Sequence, residues 1–254
     1  MITIIKQNND ILKFLEQDKY TCLNILGYLD YNPTADIYLW ENDLNNGLIV
    51  GDDKEPDFFF VHTLNTAFIQ AFWESLPPGN KYFSAVPKPM ALIFQHYFVT
   101  PENTLFQNIC QVYALKGNFE PIESSIYQVE SLTLADAEEV DKYYIYRHDN
   151  SIIGIRENIA LKDSACIRID GQLAAWCTVH AEDNSLGPLY TKEQYRGQGL
   201  AAIVVSDLIK KLLAKSIIPY AQIVEGNNSS LSLVKKFTGL EYTHDCVWFG
   251  VNKK

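Results

Sequence analysis

The stretch that decides the fold is Tyr195-Arg196-Gly197-Gln198-Gly199-Leu200-Ala201-Ala202, and the apolar run Ile203-Val204-Val205 follows it directly. Glycine adopts backbone conformations that other residues avoid, so Gly197 and Gly199 allow the chain to bend with its N–H groups pointing inward. The apolar run predicts a helix whose positive dipole end lies at the same place. We therefore interpret the stretch as a loop that binds phosphate oxygens.

Two common phosphate-binding loops do not fit this stretch. The Walker loop needs the string G-x-x-x-x-G-K-[ST], which the sequence lacks. The dinucleotide-binding pattern needs a strand directly before its first glycine and an acid about 20 residues later. Residues 192–196 separate Gly197 from the predicted strand, and the region near Pro219 offers no carboxylate before Glu225. A tight turn that binds nothing stays open as the plainer alternative.

Composition limits the class of protein. The 254 residues carry a net charge of −10, with 47% apolar and 13% aromatic side chains, enough for one extended domain or two of ordinary size. Nucleic-acid binders need a surplus of Lys and Arg, so we expect no nucleic-acid partner. From Lys192 to Lys236, however, basic residues outnumber acids by four. This local surplus either supports the loop or is only the solvated face of helices.

Membrane and metal signals are lacking in the sequence. The N-terminus has no basic segment leading into a long apolar segment, and no run of about 18 apolar residues occurs, so we expect a cytoplasmic protein with no membrane partner. The five cysteines and five histidines are dispersed without metal-ligand spacing. We expect neither a disulfide framework nor a metal site.

The C-terminal half has the clearer secondary-structure pattern. Asp170-Gly171 between two β-rich runs is a strong hairpin signal. The remaining pattern predicts a helix starting near Leu134, a strand Leu186–Thr191, a helix from about Gly199 to Lys215, a strand Tyr220–Val224, a short helix to about Phe237 and a last strand Tyr242–Val251.

The N-terminal half gives weaker signals. They predict helices that end at Gln17, extend from Thr63 to Leu76 and extend from Met90 to Tyr97, and a strand from Gln111 to Leu115. Gly, Asn, Pro and two serines interrupt the apolar periodicity between Gly117 and Ser125. We therefore predict an N-terminal α/β domain of residues 1–120 and a second domain of residues 121–254.

The loop resembles a known family. Arg196-x-x-Gly199-x-Ala201 fits the R/Q-x-x-G-x-G/A loop of the GNAT superfamily of N-acetyltransferases, and the segment from Asn227 to Leu240 is similar to that family's next signature. The resemblance covers roughly residues 125–254, and the hairpin that holds Trp176 looks most like the glycine N-acyltransferase branch. It implies an α/β fold with a mixed sheet. The C-terminal half would be a GNAT acyl-CoA N-acyltransferase domain, and the N-terminal α/β half a degenerate GNAT-like copy.

The resemblance also implies an acyl donor, acetyl-CoA or another acyl-coenzyme A, and no metal. The diphosphate would lie on the loop amides and the pantetheine arm along the preceding strand, where a backbone N–H near Leu189 would polarise the thioester carbonyl. The implied coenzyme A-binding residues are Leu189, Tyr190, Thr191, Arg196, Gly197, Gln198, Gly199, Leu200, Ala201, Asn227 and Ser230.

The acid and base of the family cannot be transferred to this chain. The position that many relatives give to a Tyr is Val234, and the position that many give to a Glu is Ser185. By position, Glu182 is the candidate base and Tyr190 the candidate acid. Weaker candidates for these roles are His180, Asp183, Tyr220 and Glu225, and for each of them solvation or packing is the alternative role.

The sequence thus predicts an N-acetyltransferase that moves an acetyl or short acyl group to a primary amine of a small molecule by direct attack. The missing Tyr and Glu leave open a catalytically decayed coenzyme A-binding sensor or regulatory module. An acidic surface favours cationic amines, whereas an amino-acid acceptor such as glycine needs an Arg, of which Arg147, Arg156 and Arg168 are candidates. We expect a monomer or a homodimer.

Overall fold

The computed structural model describes residues 1–51 and 57–254. Up to Leu115 the regular elements are β1 (Ile2–Ile5), α1 (Asn9–Gln17), α2 (Leu23–Tyr31), β2 (Asp36–Trp40), β3 (Leu48–Gly51), β4 (Phe58–His62), α3 (Thr66–Ser75), β5 (Gly79–Pro87), α4 (Lys88–Phe98) and β6 (Thr104–Leu115). From Val129 onward they are β7 (Val129–Glu130), α5 (Ala137–Lys142), α6 (Ser151–Leu161), β8 (Ser164–Ile169), β9 (Gln172–Val179), β10 (Leu186–Thr191), α7 (Leu200–Ala214), β11 (Tyr220–Val224), α8 (Asn228–Val234) and β12 (Leu240–Lys253).

The same order of elements occurs twice among the described residues. Short 3-10 turns aside, both β1 to β6 and β7 to β12 follow the order strand, two helices, three strands, helix, strand, helix, strand. The sequence shows no internal repeat that reveals this duplication. The fold therefore is the mixed α/β fold expected, with an N-terminal half that repeats the topology of the C-terminal half.

The chain forms two compact units. The first contains residues 1–112, 223–226 and 242–254, and the second contains residues 113–222 and 227–241. These units differ from the segments 1–120 and 121–254 because the C-terminal strand lies in the first unit, where it pairs antiparallel with β5 from Cys246 opposite Pro87 to Lys253 opposite Gly79. The assignment of two sequence domains stays a prediction.

The first unit is built on a sheet with the strand order β1-β2-β3-β4-β5-β12-β6-β11, whose last three strands each have a few end residues in the second unit. Strands β4 and β5 pair in parallel, with Phe59 opposite Phe83. Aromatic rings dominate the core, and Phe83 stacks on Phe249 at 4.7 Å between ring centroids. Asn8 caps α1, since its side chain accepts hydrogen bonds from the amides of residues 10 and 11.

Helix α3 begins three residues later than the sequence predicts. Its cap is Asn65, whose side chain accepts from the Phe68 amide, whereas the Thr63 hydroxyl donates to the carbonyl oxygen of Asn46. The first copy of the fold thus has Thr63-Leu64-Asn65 between its fourth strand and its third helix, and no glycine.

The second unit holds an antiparallel sheet with the strand order β10-β9-β8-β7. The Asp170-Gly171 hairpin is confirmed, with both residues at positive φ (51° and 75°) between β8 and β9. Leu208 and its neighbours on α7 pack against one face of the sheet, and Trp176, 1% exposed, packs with Ile155 against the other. Strand β10 lies at the edge of this sheet.

The cysteines are all free and buried. One grouping is invisible in the spacing, because Asp18, Cys22 and His62 place ligand-type atoms within 4.8 Å of one another although His62 lies on a distant strand. The Cys22 sulfur lies 3.3 Å from Nδ1 of His62, and burial raises the pKa of the Cys22 thiol.

Among the described residues, no helix has the length and apolarity that a membrane crossing requires.

Candidate functional site

The glycine loop before α7 is shaped by left-handed backbone conformations. Gly197 has φ 78° and Gly199 has φ 80°, and Gly199 is the residue from which α7 starts. A Cβ atom at either glycine would meet no atom within 4 Å. The glycines are therefore required by the backbone conformation and not by crowding, and the concave side of the loop is open.

The loop presents free backbone donors. The amides of Ala202 and Ile203 donate to the carbonyl oxygen of Gly199, whereas within residues 1–51 and 57–254 the amides from Gly197 to Ala201 donate to nothing. These amides lie at the positive end of the 15-residue helix α7. An exposed set of unpaired N–H groups at a helix start suits phosphate oxygens, and the phosphate ligand stays a prediction.

Arg196 is held beside the loop. Its Nε donates to the carbonyl oxygen of Thr191 at 3.2 Å, and its guanidinium lies 5.6 Å from the centre of the Tyr190 ring. Much of the basic surplus predicted around the loop is paired with acids, through the ion pairs Lys192–Glu139, Lys210–Glu123, Lys211–Asp207 and Lys215–Asp163. Arg196 also forms an ion pair with Glu193 at 3.5 Å, and it is the cation that directly precedes Gly197.

Strand β10, which leads into the loop, has no partner strand on its outer side among the described strands. Its pairing with β9 is interrupted between Leu186 and Leu189, so Gly187 and Pro188 form a bulge joined by a cis peptide bond. An edge strand with a bulge leaves backbone N–H and C=O groups free for a ligand. This free edge includes Leu189 to Thr191, where the pantetheine arm stays a prediction.

The side chains of this strand point to different surroundings. Leu189 packs against the α7 core, and the Tyr190 ring stacks on Tyr143 at 4.8 Å and lies tilted against Trp176 at 5.3 Å between ring centroids. The Thr191 hydroxyl oxygen is buried and has no hydrogen-bond partner among the described residues. Tyr190 thus has a packing role whatever else it does.

The first copy of the fold lacks both features of this site. Its β4 pairs directly with β5, while β10 and β11 of the second copy do not pair. Its strand-to-helix connection has Asn65 as a cap in place of a glycine loop. Among the described residues, the glycine loop before a helix and the unpaired neighbouring strands therefore occur in the second copy and not in the first.

The second predicted signature forms a helix cap. The side chain of Asn227 accepts a hydrogen bond from the Ser230 amide at 3.1 Å, so these two predicted coenzyme A-binding residues contact each other at the start of α8. Val234 is buried, and the Ser185 hydroxyl donates to Oδ1 of Asp183 at 2.7 Å. Neither Val234 nor Ser185 supplies an acid or base, as the sequence indicates.

The predicted base Glu182 is exposed in the turn between β9 and β10. Its charge reaches Tyr144, because burial first, and then the nearby Tyr146, Glu182 and Asp141, raise the pKa of the Tyr144 phenol. Glu182 therefore lies near Tyr144, which belongs to the segment between α5 and α6.

The next residue of the turn, Asp183, is 5% exposed and at the centre of a network that the sequence does not reveal. Its Oδ2 accepts from the Gln222 side chain at 3.0 Å, and its backbone carbonyl accepts from the Tyr220 hydroxyl at 2.7 Å. These two donors lie on β11, so hydrogen bonds bridge the start of β10 to a strand that does not pair with it. Only the polar residues of the turn itself could have drawn attention to Asp183.

A cavity of about 1100 Å³ lies beside α5 and the start of α6. It is lined by Glu138, Glu139, Asp141, Lys142, Arg147, His148, Asp149 and Ile152. Glu139 connects it to β10 through the ion pair with Lys192, whose ammonium lies 5.9 Å from the centre of the Tyr143 ring. The cavity thus adjoins the strand expected to hold the acyl donor.

The three candidate arginines have different surroundings. Arg168 donates to both carboxylate oxygens of Asp136 at 2.8 Å and Arg156 lies near the exposed Glu138 on α5. Arg147 lines the cavity, and its Nε donates to the buried Asp141 carboxylate at 2.8 Å. The structure therefore singles out Arg147 as the arginine placed at the cavity.

Comparison with known proteins agrees with this site. The family described as FR47-like protein matches residues 166–249, which include β10, the loop and α7. No curated protein matches the sequence. A Drosophila protein of solved structure is similar over 98% of both chains, with a TM-score of 0.77 and 13% identity.

Solved acetyltransferases share the fold over nearly the full chain. An acetyltransferase from the GNAT family of Colwellia psychrerythraea is 16% identical with a TM-score of 0.53, and the match covers 99% of this chain and 100% of the other. A GCN5-related N-acetyltransferase-like protein from Streptococcus suis is 14% identical with a TM-score of 0.51, over 96% and 99% of the two chains. These similarities do not confirm the predicted resemblance to the glycine N-acyltransferase branch. This chain therefore has the fold of a solved GNAT-family acetyltransferase, and its residues 166–249 match the FR47-like family.

Proposed function

We propose that this protein transfers an acetyl or short acyl group from acyl-coenzyme A to a primary amine of a small molecule. The observation that carries the proposal is the open glycine loop at the start of α7, reached by the bulged edge strand β10. A loop of free amides suits a diphosphate, and an unpaired strand edge suits the amide groups of a pantetheine arm. An acyl-coenzyme A contains both in the matching order.

We assign the donor contacts to the loop and strand residues. The diphosphate would accept hydrogen bonds from the backbone amides of residues 197 to 201, which are Gly197, Gln198, Gly199, Leu200 and Ala201. Arg196 would add a charge-assisted contact. Leu189, Tyr190 and Thr191 would contact the pantetheine arm through their backbone, and Asn227 and Ser230 would contact the donor from α8. The bulge would aim a backbone N–H at the thioester carbonyl, whose oxygen becomes negative as the amine attacks.

The acceptor would bind in the cavity beside α5. Arg147 is positioned there by the Asp141 carboxylate, which in turn accepts from the Ser151 hydroxyl. A guanidinium held in this way suits the carboxylate of an amino-acid acceptor. The sequence-based assignments of Glu182 as base and Tyr190 as acid stay predictions.

Two measurements test the function. Calorimetry with coenzyme A tests the donor site, and thiol release from acetyl-coenzyme A across a panel of amino acids and polyamines tests the transfer. The expected result is binding of coenzyme A together with turnover on at least one amine. Binding without any turnover would favour the alternative of a coenzyme A-binding regulatory module, which the loss of a Tyr at Val234 and a Glu at Ser185 motivates. Absence of binding would refute both.

A further inference from the structure

The turn between β9 and β10 holds an imidazole beside a fixed carboxylate. His180 directly follows β9, its amide donates to the carbonyl oxygen of Ser185 at 2.9 Å, and its own carbonyl accepts from the Asn184 amide at 3.1 Å. Asp183 is fixed in the same turn by Ser185 and Gln222. Both ends of this turn and the strand β11 thus keep the relation between His180 and Asp183 constant.

The His180 ring lies directly on the bulge of β10. A Cβ atom at Gly187 would be 3.0 Å from Nε2 of His180 and 3.4 Å from its Cδ2. Gly187 has φ 151°, and its carbonyl oxygen accepts from the Thr178 hydroxyl. The imidazole is therefore packed on the backbone that precedes Leu189, where the proposed function places the thioester.

The same turn contains a buried side-chain oxygen without a hydrogen-bond partner among the described residues, that of Asn184. Asn184 is 8% exposed, and its Oδ1 has no hydrogen-bond partner in the part of the chain that the structure describes. A buried carbonyl oxygen without a partner is unfavourable, and an incoming N–H donor would satisfy it. An amine that approaches the bulge would be such a donor.

We propose that His180, and not the exposed Glu182, removes the proton from the attacking amine, and that Asp183 is the positioning residue that orients it. This inference rests on the proposed acyl transfer and assigns its proton acceptor. The neutral amine nitrogen forms a bond to the thioester carbonyl carbon while its proton passes to a ring nitrogen of His180. The carbon–sulfur bond then breaks, its electron pair stays on sulfur, and a proton from the Tyr190 hydroxyl or from water completes the free thiol.

The electrostatics of the turn suit this role. Burial lowers the pKa of the His180 imidazole, and the negative charge of Asp183 opposes that shift. A neutral imidazole is the form that can accept a proton, and the neighbouring carboxylate stabilises the imidazolium once it forms. The other polar groups at this turn are Glu182 and the Tyr220 hydroxyl, which donates to the Asp183 backbone.

The first test compares His180→Gln with His96→Gln, a matched change at an exposed histidine in the last turn of α4. At saturating acetyl-coenzyme A we expect His180→Gln to lower kcat by about 10²- to 10⁴-fold with unchanged coenzyme A affinity, and His96→Gln to leave both unchanged. Glu182→Gln is measured beside them. An active His180→Gln variant together with an inactive Glu182→Gln variant would overturn the inference, and would assign the base to Glu182.

The second test uses a readout that a structural role would not move. The titration of His180 in the free protein, identified by nuclear magnetic resonance from the signal that His180→Gln removes, should coincide with a pKa on the acidic limb of the kcat/KM–pH profile. In Asp183→Asn both should shift together to lower pH, because the removed negative charge raised the pKa of the imidazole. If Asp183→Asn fails to fold, the wild-type protein still provides the test. Agreement between its His180 titration and its acidic limb supports the inference, and disagreement between them refutes it. Absence of wild-type turnover would remove the proposed function itself, whereas wild-type turnover with a fully active His180→Gln would remove this inference alone.

Discussion

Replacing Gly199 by Trp separates a phosphate-binding loop from a tight turn without a ligand. Gly199 has φ 80° and open space at its Cβ position. Gly171 of the β8–β9 hairpin provides the matched control, since it has φ 75° and equally open space but lies in a turn to which we assign no ligand. Both substitutions thus impose the same backbone strain and the same bulky exposed ring.

The size of each effect follows from these geometries. A non-glycine residue in the left-handed region costs about 1–2 kcal/mol, so both variants should lose similar stability. At Gly199 the indole would also cover the amides from Gly197 to Ala201. A hydrogen bond to a charged group contributes about 1.5–3 kcal/mol, so the loss of two such bonds to the diphosphate weakens binding by about 3–6 kcal/mol. This is about a 10²- to 10⁴-fold rise in Kd.

Calorimetric titration with coenzyme A measures the difference, and thermal unfolding checks that both variants remain folded. We expect Gly171→Trp to bind like the wild-type protein and Gly199→Trp to bind at least about 100-fold more weakly. Equal affinity of all three proteins would show that the loop does not contact the donor. An equal loss in both variants would mean that strain, and not the blocked amides, explains the effect.

Three further predictions concern the acceptor, the pH dependence and the core. Arg147→Ala should raise KM for an amino-acid acceptor about tenfold or more with coenzyme A affinity unchanged, because the acceptor carboxylate loses its guanidinium partner. Steady-state kinetics measures this KM, with Arg156→Ala as the control, and an equal KM in the two variants would contradict the prediction. Burial raises the pKa of the Asp136 carboxyl, but hydrogen bonds from Arg168 and Thr133 outweigh burial and place that pKa below its ordinary value. The stability that Asp136 contributes is thus present above the ordinary carboxyl pKa of about 3.9, and it is lost as the pH falls through the pKa of the folded protein. The Tm difference between wild type and Asp136→Asn should therefore be large at pH 7 and smaller in acid. A Tm difference that does not change with pH would refute this linkage. Trp176→Ala should lower the free energy of unfolding by about 3–5 kcal/mol in a denaturant titration, since this side chain is 1% exposed, and a loss under about 1 kcal/mol would show that the core re-forms around the gap.

The sequence predicted the second copy of the fold well where one pattern dominates. Strands Leu186–Thr191 and Tyr220–Val224 are confirmed to the residue, and α7 is confirmed within one residue at each end. These segments combine strong apolar periodicity with glycine or proline at their ends. The glycine loop lies within one continuous stretch, so its backbone geometry could be inferred from local chemistry.

Other elements lack a local signal. Helix α2 is buried on most sides, so no amphipathic stripe marks it, and α6 contains Gly154 in its interior, which weakens a helix prediction. The pairing of β12 with β5 joins residues far apart in the chain, which no local periodicity encodes. The hydrogen bonds from Gln222 and Tyr220 to Asp183 are equally long-range, and this is why the sequence favoured Glu182 in the same turn.

The repeated fold explains why one copy carries the chemistry and the other is nevertheless retained. Pairing of β4 with β5 removes the gap that a pantetheine arm needs, so the first copy cannot hold an acyl donor in the way proposed for the second. The last strand of the second copy, however, contributes Val247, Phe249 and Val251 to the core of the first unit. Without residues 1–112 these three buried side chains would be exposed to water, at a cost of about 1.5–3 kcal/mol each. The copy without a site therefore stabilises the chain that carries one, and residues 121–254 depend on it for the burial of their own C-terminal strand.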